Sequence, residues 1–126
     1  MTSLMSEDLI KTCKAKLLER KTELLNQMRS TATDFQTLGS KSAGDEVDQS
    51  SQLLAEHTML VNADRARTQL LEIEQALGRI EQGTFGICEE TEEEIETERL
   101  LAIPWTKLSI EGAEMREALQ KRFART

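Results

Sequence analysis

Two stretches of helical periodicity, separated by a polar break, constrain this chain more than any other feature. From Ile10, the residues Cys13, Leu17, Leu24, Met28 and Phe35 follow at spacings of three, four and seven. That alternation is the seam of a coiled coil. Leu18 and Leu25 widen the apolar face, while the long stems of Arg20 and Lys21 cover a gap in it. The second stripe runs through Leu53, Leu60, Ala63, Arg67, Leu70, Ile73, Leu77 and Ile80. Between its members, Glu56, Asp64, Arg65, Glu72, Glu74 and Arg79 form a solvated face of mixed sign. Small Ala63 and Ala66 let two backbones come close. The break is Gly39–Ser50, GSKSAGDEVDQS, whose glycines and serines end one helix and turn the chain. Helical order is expected to weaken toward it through the Ser/Thr-rich residues 30–37. Asp45 or Asp48 then caps the second helix. Matched stripes joined by a short turn predict an antiparallel helical hairpin, about 30 residues per arm and ~45 Å long. On spacing alone, the two carboxylates at its tip read as a helix cap first and as a working end second.

Outside the hairpin the punctuation is equally plain. Ser6 caps the first helix, and Glu7 and Asp8 favour the positive end of its dipole. Gly83 offers the left-handed position that closes the second. A compact apolar turn, Thr84-Phe85-Gly86-Ile87-Cys88, follows. Then come seven glutamates in ten residues, EETEEEIETE at Glu89–Glu98. This run reads as the start of a short helix with Thr91 as cap, continuing through Leu100, Leu101 and Ile103. Without spaced ligand geometry, its carboxylates are a solvated face and not a cation site. Pro104 stops that helix. Trp105 and Leu108 supply apolar bulk, and Ser109 caps a last helix through Arg125. Ile110, Met115, Leu119 and Phe123 line one face of it, and basic residues sit at its C-terminal end. The fold class is therefore all-α: a long antiparallel helical hairpin (coiled coil) with a small C-terminal globular region and a terminal helix. Residues 1–82 form the N-terminal helix and hairpin, with the tip at 39–50, and residues 83–126 the small domain.

Composition removes several classes of function. A length of 126 residues allows one domain, or one extended element with a small appendage. A net charge of −7 opposes general DNA or RNA binding, because neutralising phosphates takes clustered Lys and Arg. Aromatic residues are too few for a base-stacking platform. No apolar run reaches membrane-span length, and the N-terminal segment has no signal-peptide core. Cys13 and Cys88 are far apart and make no disulfide framework, as expected of a reduced cytoplasmic protein. His57 is the single histidine, so no Ser-His-acid or Cys-His pair can be assembled, and no Gly-rich phosphate loop or nucleophile elbow occurs. The chain is not expected to be an enzyme or to carry a cofactor. Asp45 and Asp48 alone would hold a divalent ion weakly.

The combination Gly44-Asp45-Glu46-Val47-Asp48-Gln49, a long charged helix, Gly83-Thr84-Phe85-Gly86-Ile87-Cys88-Glu89 and Ile95-Glu96-Thr97-Glu98-Arg99-Leu100-Leu101-Ala102-Ile103-Pro104 resembles the DksA/TraR family of bacterial RNA polymerase regulators. The resemblance runs from about Lys14 to Phe123 and is strongest from Asp45 onward. It implies an antiparallel coiled coil that enters the polymerase secondary channel and brings two tip aspartates, here Asp45 and Asp48, near the catalytic magnesium region. Ser50 stands where the family has alanine, which counts against full activity of the tip. The family's four-cysteine zinc site corresponds to Cys88, Thr91, Ser109 and Gly112, and one thiolate cannot make a tetrahedral structural site. The expectation is a zinc-free domain held by Phe85, Ile87, Leu101, Trp105 and Leu108, with Cys88 a buried structural thiol before a redox sensor, since no resolving cysteine is near in sequence. Basic residues of the family help bind the alarmone ppGpp. Arg65 matches one such position, but Glu72, Ile103 and Ala113 replace others, and a carboxylate beside a pyrophosphate repels it. A ppGpp site like the family's is not expected. The function implied is transcription regulation by binding bacterial RNA polymerase, without direct sequence-specific DNA contact. The alternative is a coiled-coil adaptor or oligomerisation module that kept the fold and lost that role.

Overall fold

The computed structural model describes residues 6–40 and 49–124, without the side chains of residues 35 and 38–40. The Phe35 end of the first stripe and Arg125 therefore lie outside the described residues. Four helices account for nearly all of the regular structure among the described residues: α1 (Glu7–Ser40), α2 (Gln49–Gln82), α3 (Thr97–Ala102) and α4 (Ile110–Ala124). Among the described residues there is no strand, only one isolated antiparallel bridge between Ile87 and Glu94. No helix among the described residues is long and apolar enough to cross a membrane.

Helix ends follow local chemistry. Ser6 Oγ accepts the Leu9 N–H at 3.2 Å, which satisfies a donor that the first turn of α1 leaves free. At the end of α2, Gly83 takes φ 79°. The Gly83 N–H bonds to the Ile80 carbonyl and the Thr84 N–H to the Arg79 carbonyl, at 3.3 and 2.9 Å, a Schellman closure. The expected weakening over residues 30–37 is not seen, because α1 continues to Ser40. The hydroxyls of Thr31, Thr33 and Thr37 donate to the carbonyls of Gln27, Arg29 and Thr33. Bonded in this way to the preceding turn, they do not compete with the helix.

The chain divides into two compact units, Arg20–Leu71 and Met1–Glu19 with Glu72–Thr126, and both long helices contribute to each. In the first unit, Arg20 Nε donates to Gln69 Oε1 at 2.9 Å. Leu24 and Ala66 are buried and line one open groove with Gln27 and Asn62. Residue numbers rise along α1 as they fall along the facing part of α2, so the pair is antiparallel. The second stripe needs correction here. Leu53 and Leu60 are 66% and 52% exposed, and Arg67 points outward to pair with Asp64 at 2.7 Å. Of the stripe, Ile73 is buried and Ala63, Leu70, Leu77 and Ile80 are half-buried, and the buried line runs through Ala66, Ile73 and Ala76. Small side chains at the seam allow the close approach, and the longer leucines are displaced from it.

In the second unit, Cys13, Leu17, Ile73, Ala76, Phe85, Cys88, Ile95 and Leu100 form the buried core. Backbone carbonyls of the C-terminal segment are tied down by side chains of the helices. Cys13 Sγ donates to the Leu100 carbonyl at 3.7 Å and Lys16 Nζ to that of Leu101 at 2.8 Å. The Arg79 guanidinium reaches the carbonyls of Trp105 and Thr106 at 3.3 Å each, and Arg99 Nε that of Leu108 at 2.8 Å. Arg79 is therefore a half-buried brace and not part of the solvated face expected of it. Burial pulls its guanidinium below the usual range, and Glu89 opposes that.

The acidic run is the other departure. Residues 89–96 form turns, and α3 begins only at Thr97, so Thr91 caps no helix. In a helix Glu89 and Glu93, Glu90 and Glu94, and Glu94 and Glu98 would stack at i,i+4, where like charges repel. The loop instead closes on itself through Cys88 N–H to the Glu93 carbonyl at 2.8 Å and Ile95 N–H to the Gly86 carbonyl at 2.7 Å. Ile95 thereby enters the core, while Ile87, expected inside, is 36% exposed. Leu101, Trp105 and Leu108 are half-buried. Of the expected core residues in this part, Phe85 alone is fully buried.

Candidate functional site

The four positions singled out between Cys88 and Gly112 come together around one sulfur. Two short arms, residues 88–91 and 109–112, face each other and are joined by the Glu89 N–H, which donates to the Lys107 carbonyl at 2.9 Å. Cys88 Sγ is fully buried. It accepts the Thr91 N–H at 3.4 Å from its own arm and the Ser109 hydroxyl at 3.4 Å from the other. Ser109 Oγ also accepts the Gly112 N–H at 3.0 Å, so the same hydroxyl caps α4 as expected. A Cβ built on Gly112 would lie 2.5 Å from Cys88 Sγ and 3.3 Å from Ser109 Oγ. The sulfur fills the space in front of that glycine.

Burial pushes the Cys88 thiol up, but hydrogen bonds from the side chains and backbones of Ser109 and Thr91 outweigh it and bring its pKa to about 6. At Cys13 burial also raises the thiol, opposed by Lys16, and the balance there stays upward. Around the Cys88 arms, Arg116 Nε donates to Glu90 Oε2 at 2.9 Å. Glu89 lies within 3.6 Å of Lys107 and 3.7 Å of Arg116. Glu92 adopts φ 60° at the turn of the first arm, a backbone conformation that costs a non-glycine residue about 1–2 kcal/mol. The ties around it hold that turn in place.

Tetrahedral structural zinc takes thiolate or imidazole ligands at roughly 2.0–2.3 Å from the metal. The side chains here are one thiol and two hydroxyls, and Gly112 has none. The space beside Gly112 is taken up by the Cys88 sulfur, 2.5 Å from where a Cβ there would lie. The residues present do not fit zinc.

The other sequence-derived positions are dispersed. Asp45 and Asp48 lie outside the described residues. Ser50 is the second residue of α2 and is exposed. Arg65 is exposed and lies on the rim of the open groove of about 240 Å³ shared with Arg20, Gln27, Asn62 and Gln69. Glu72, Ile103 and Ala113 are half-buried. Sequence reasoning missed the bracing roles of Arg79, Arg99 and Arg116. Their charges looked like ordinary helix surface, and their acceptors are mostly backbone carbonyls, which no residue type announces. For Ile95 a signal was present: a lone β-branched residue inside a glutamate run.

Comparison with known proteins agrees along nearly the whole chain. The family model of the DnaK suppressor protein DksA N-terminal domain matches residues 10–80, and that of the prokaryotic dksA/traR C4-type zinc finger matches residues 83–117. An uncharacterised protein of Aquifex aeolicus is 40% identical over 87% of this chain and 77% of its own length. The RNA polymerase-binding transcription factor DksA of Caulobacter vibrioides is 34% identical over 93% of this chain and 82% of its own. Among solved structures, transcription factor DksA2 from Pseudomonas aeruginosa superposes with a TM-score of 0.82 at 30% identity. That match covers 94% of this chain and 90% of that one. The departures at positions 88–112 are thus substitutions within a preserved frame, and the chain belongs to the DksA/TraR family.

Proposed function

We propose that this protein is a transcription regulator that binds bacterial RNA polymerase in the cytoplasm, inserting its hairpin into the secondary channel. Residues 1–82 act as the inserted part, with the tip at 39–50, and residues 83–126 as the small domain that holds its base. Asp45 and Asp48 act near the polymerase active centre, and Ser50 tempers them in place of alanine. The protein performs no catalysis and reads no DNA sequence, so its effect falls on promoters through the polymerase. Arg65 matches one alarmone-proximal position of the family, but alone it does not make an alarmone site like the family's. The observation that carries this reading is the match of residues 10–80 to the DksA N-terminal family model, supported by likeness to an RNA polymerase-binding factor along most of both chains. The test is binding to core polymerase together with promoter-specific transcription in vitro. The Asp45→Asn/Asp48→Asn variant is expected to bind as the wild type does while losing most of the effect on transcription. Full transcriptional effect in that variant would refute the tip assignment. Absence of binding by the wild type would refute the function.

A second reading, a coiled-coil adaptor or oligomerisation module, rests on one observation. Leu53, Leu54 and Leu60 are all more than half exposed on α2, and clustered exposed leucines suit a protein contact. Stable dimers that ignore polymerase, and that dissociate in a Leu53→Glu/Leu60→Glu variant, would favour it.

A further inference from the structure

Nothing about polymerase enters the inference that the knuckle of Cys88, Thr91, Ser109 and Gly112 supports. A C4-type zinc finger model covers residues 83–117, yet these four positions hold a set of groups closed to the metal. The reason is steric as well as chemical. Cys88 Sγ is drawn to both arms, by the Thr91 N–H on one side and the Ser109 hydroxyl on the other, each at 3.4 Å. In a zinc site the corresponding sulfur sits about 2.3 Å from a central ion and is separated by it from the other ligands. Here a methyl carbon at position 112 would stand 2.5 Å from the sulfur, inside van der Waals contact. Glu90 Cβ and Ser109 Oγ, each 3.3 Å from the same point, crowd it further.

We infer that the Cys88 sulfur and the missing side chain of Gly112 are two halves of one packing solution, in which a hydrogen-bond-accepting sulfur joins the arms that a metal would otherwise join. Gly112 is needed because the sulfur stands only 2.5 Å from where its Cβ would lie. Restoring a single metal ligand, as in Gly112→Cys, breaks the knuckle and does not rebuild a site. Two positions that share one volume must be energetically coupled.

A double-mutant cycle on the full chain tests this, with thermal unfolding of the wild type, Cys88→Ala, Gly112→Ala and Cys88→Ala/Gly112→Ala. Cys88→Ala is expected to lower Tm by leaving the Thr91 N–H and the Ser109 hydroxyl without their acceptor. Gly112→Ala is expected to lower it by the clash. In the double variant the space left by the sulfur accepts the new methyl, so its loss is expected to be clearly smaller than the sum of the single losses. Additive losses would overturn the inference. If Gly112→Ala yields no folded protein, recovery of folded protein in the double variant is the supporting result, and failure of the double variant beside a folded Cys88→Ala is the opposing one. Metal content gives an independent readout. Protein purified without chelator and then given equimolar zinc is expected to bind none and to unfold at the same temperature with or without EDTA. Zinc at one per chain, or a Tm lowered by EDTA, would overturn the closed knuckle.

Discussion

Cys88 shows how one residue type acquires different properties from its setting. Both cysteines are buried, and burial raises both thiols. At Cys88 the donors on the two arms reverse the balance, moving it from 9.0 to about 6. A folded value below the unfolded one means that the thiolate contributes stability fully present above about pH 9. That contribution declines as the pH falls toward 6 and is gone below it. Tm measured from pH 9 to pH 5 should therefore fall further in the wild type than in Cys88→Ala, which keeps Cys13 and every other titrating group. Parallel profiles would show that the thiol is not held as an anion. That Cys88 would be buried was legible from the sequence. Its hydrogen-bond partners were less so, since Ser109 lies 21 residues away and also serves the cap of α4.

At the scale of elements, starts and stops were the most readable part of the chain. Ser6, Gly83 and Ser109 each do what their type and position imply, because capping depends on a few neighbouring backbone groups. Two glycines near the end of α2 separate backbone effects from packing. A Cβ at either Gly78 or Gly83 meets nothing within 4 Å. Gly78 is within the helix and Gly83 has φ 79°. Gly83→Ala should cost about 1 kcal/mol by forcing a side chain into the left-handed region. Gly78→Ala should gain up to about 1 kcal/mol in helix propensity. Urea unfolding of the two variants checks both signs. The acidic run shows where local reading fails. Glutamate favours helices and helix N-termini, but repulsion along the run and the chance to bury Ile95 through a closed loop outweigh that preference. Helix formation is delayed to Thr97.

For the whole molecule, all-α architecture and the long hairpin followed from two apolar stripes, and the family match from its turns and tip. The register of α2 is the point at which structure and sequence part, and it can be tested by substitution. Ile73 is fully buried and Leu53 is 66% exposed. Ile73→Ala should therefore cost about 2–5 kcal/mol, whereas Leu53→Ala should change stability by no more than about 0.5 kcal/mol. Equal losses in chemical denaturation would mean that Leu53 lies in the seam after all. By itself the sequence determined the two long helices and the last one, the caps at Ser6, Gly83 and Ser109, and the replacement of zinc ligands, because these depend on periodicity, neighbouring residues and donor chemistry. Only the tertiary structure decided that Ala76 lines the seam while Leu53 and Leu60 face outward, that Arg79 braces distant carbonyls, and that one sulfur fills the space before Gly112. Those outcomes depend on how closely backbones far apart in the chain approach, a quantity that no single stretch of sequence contains.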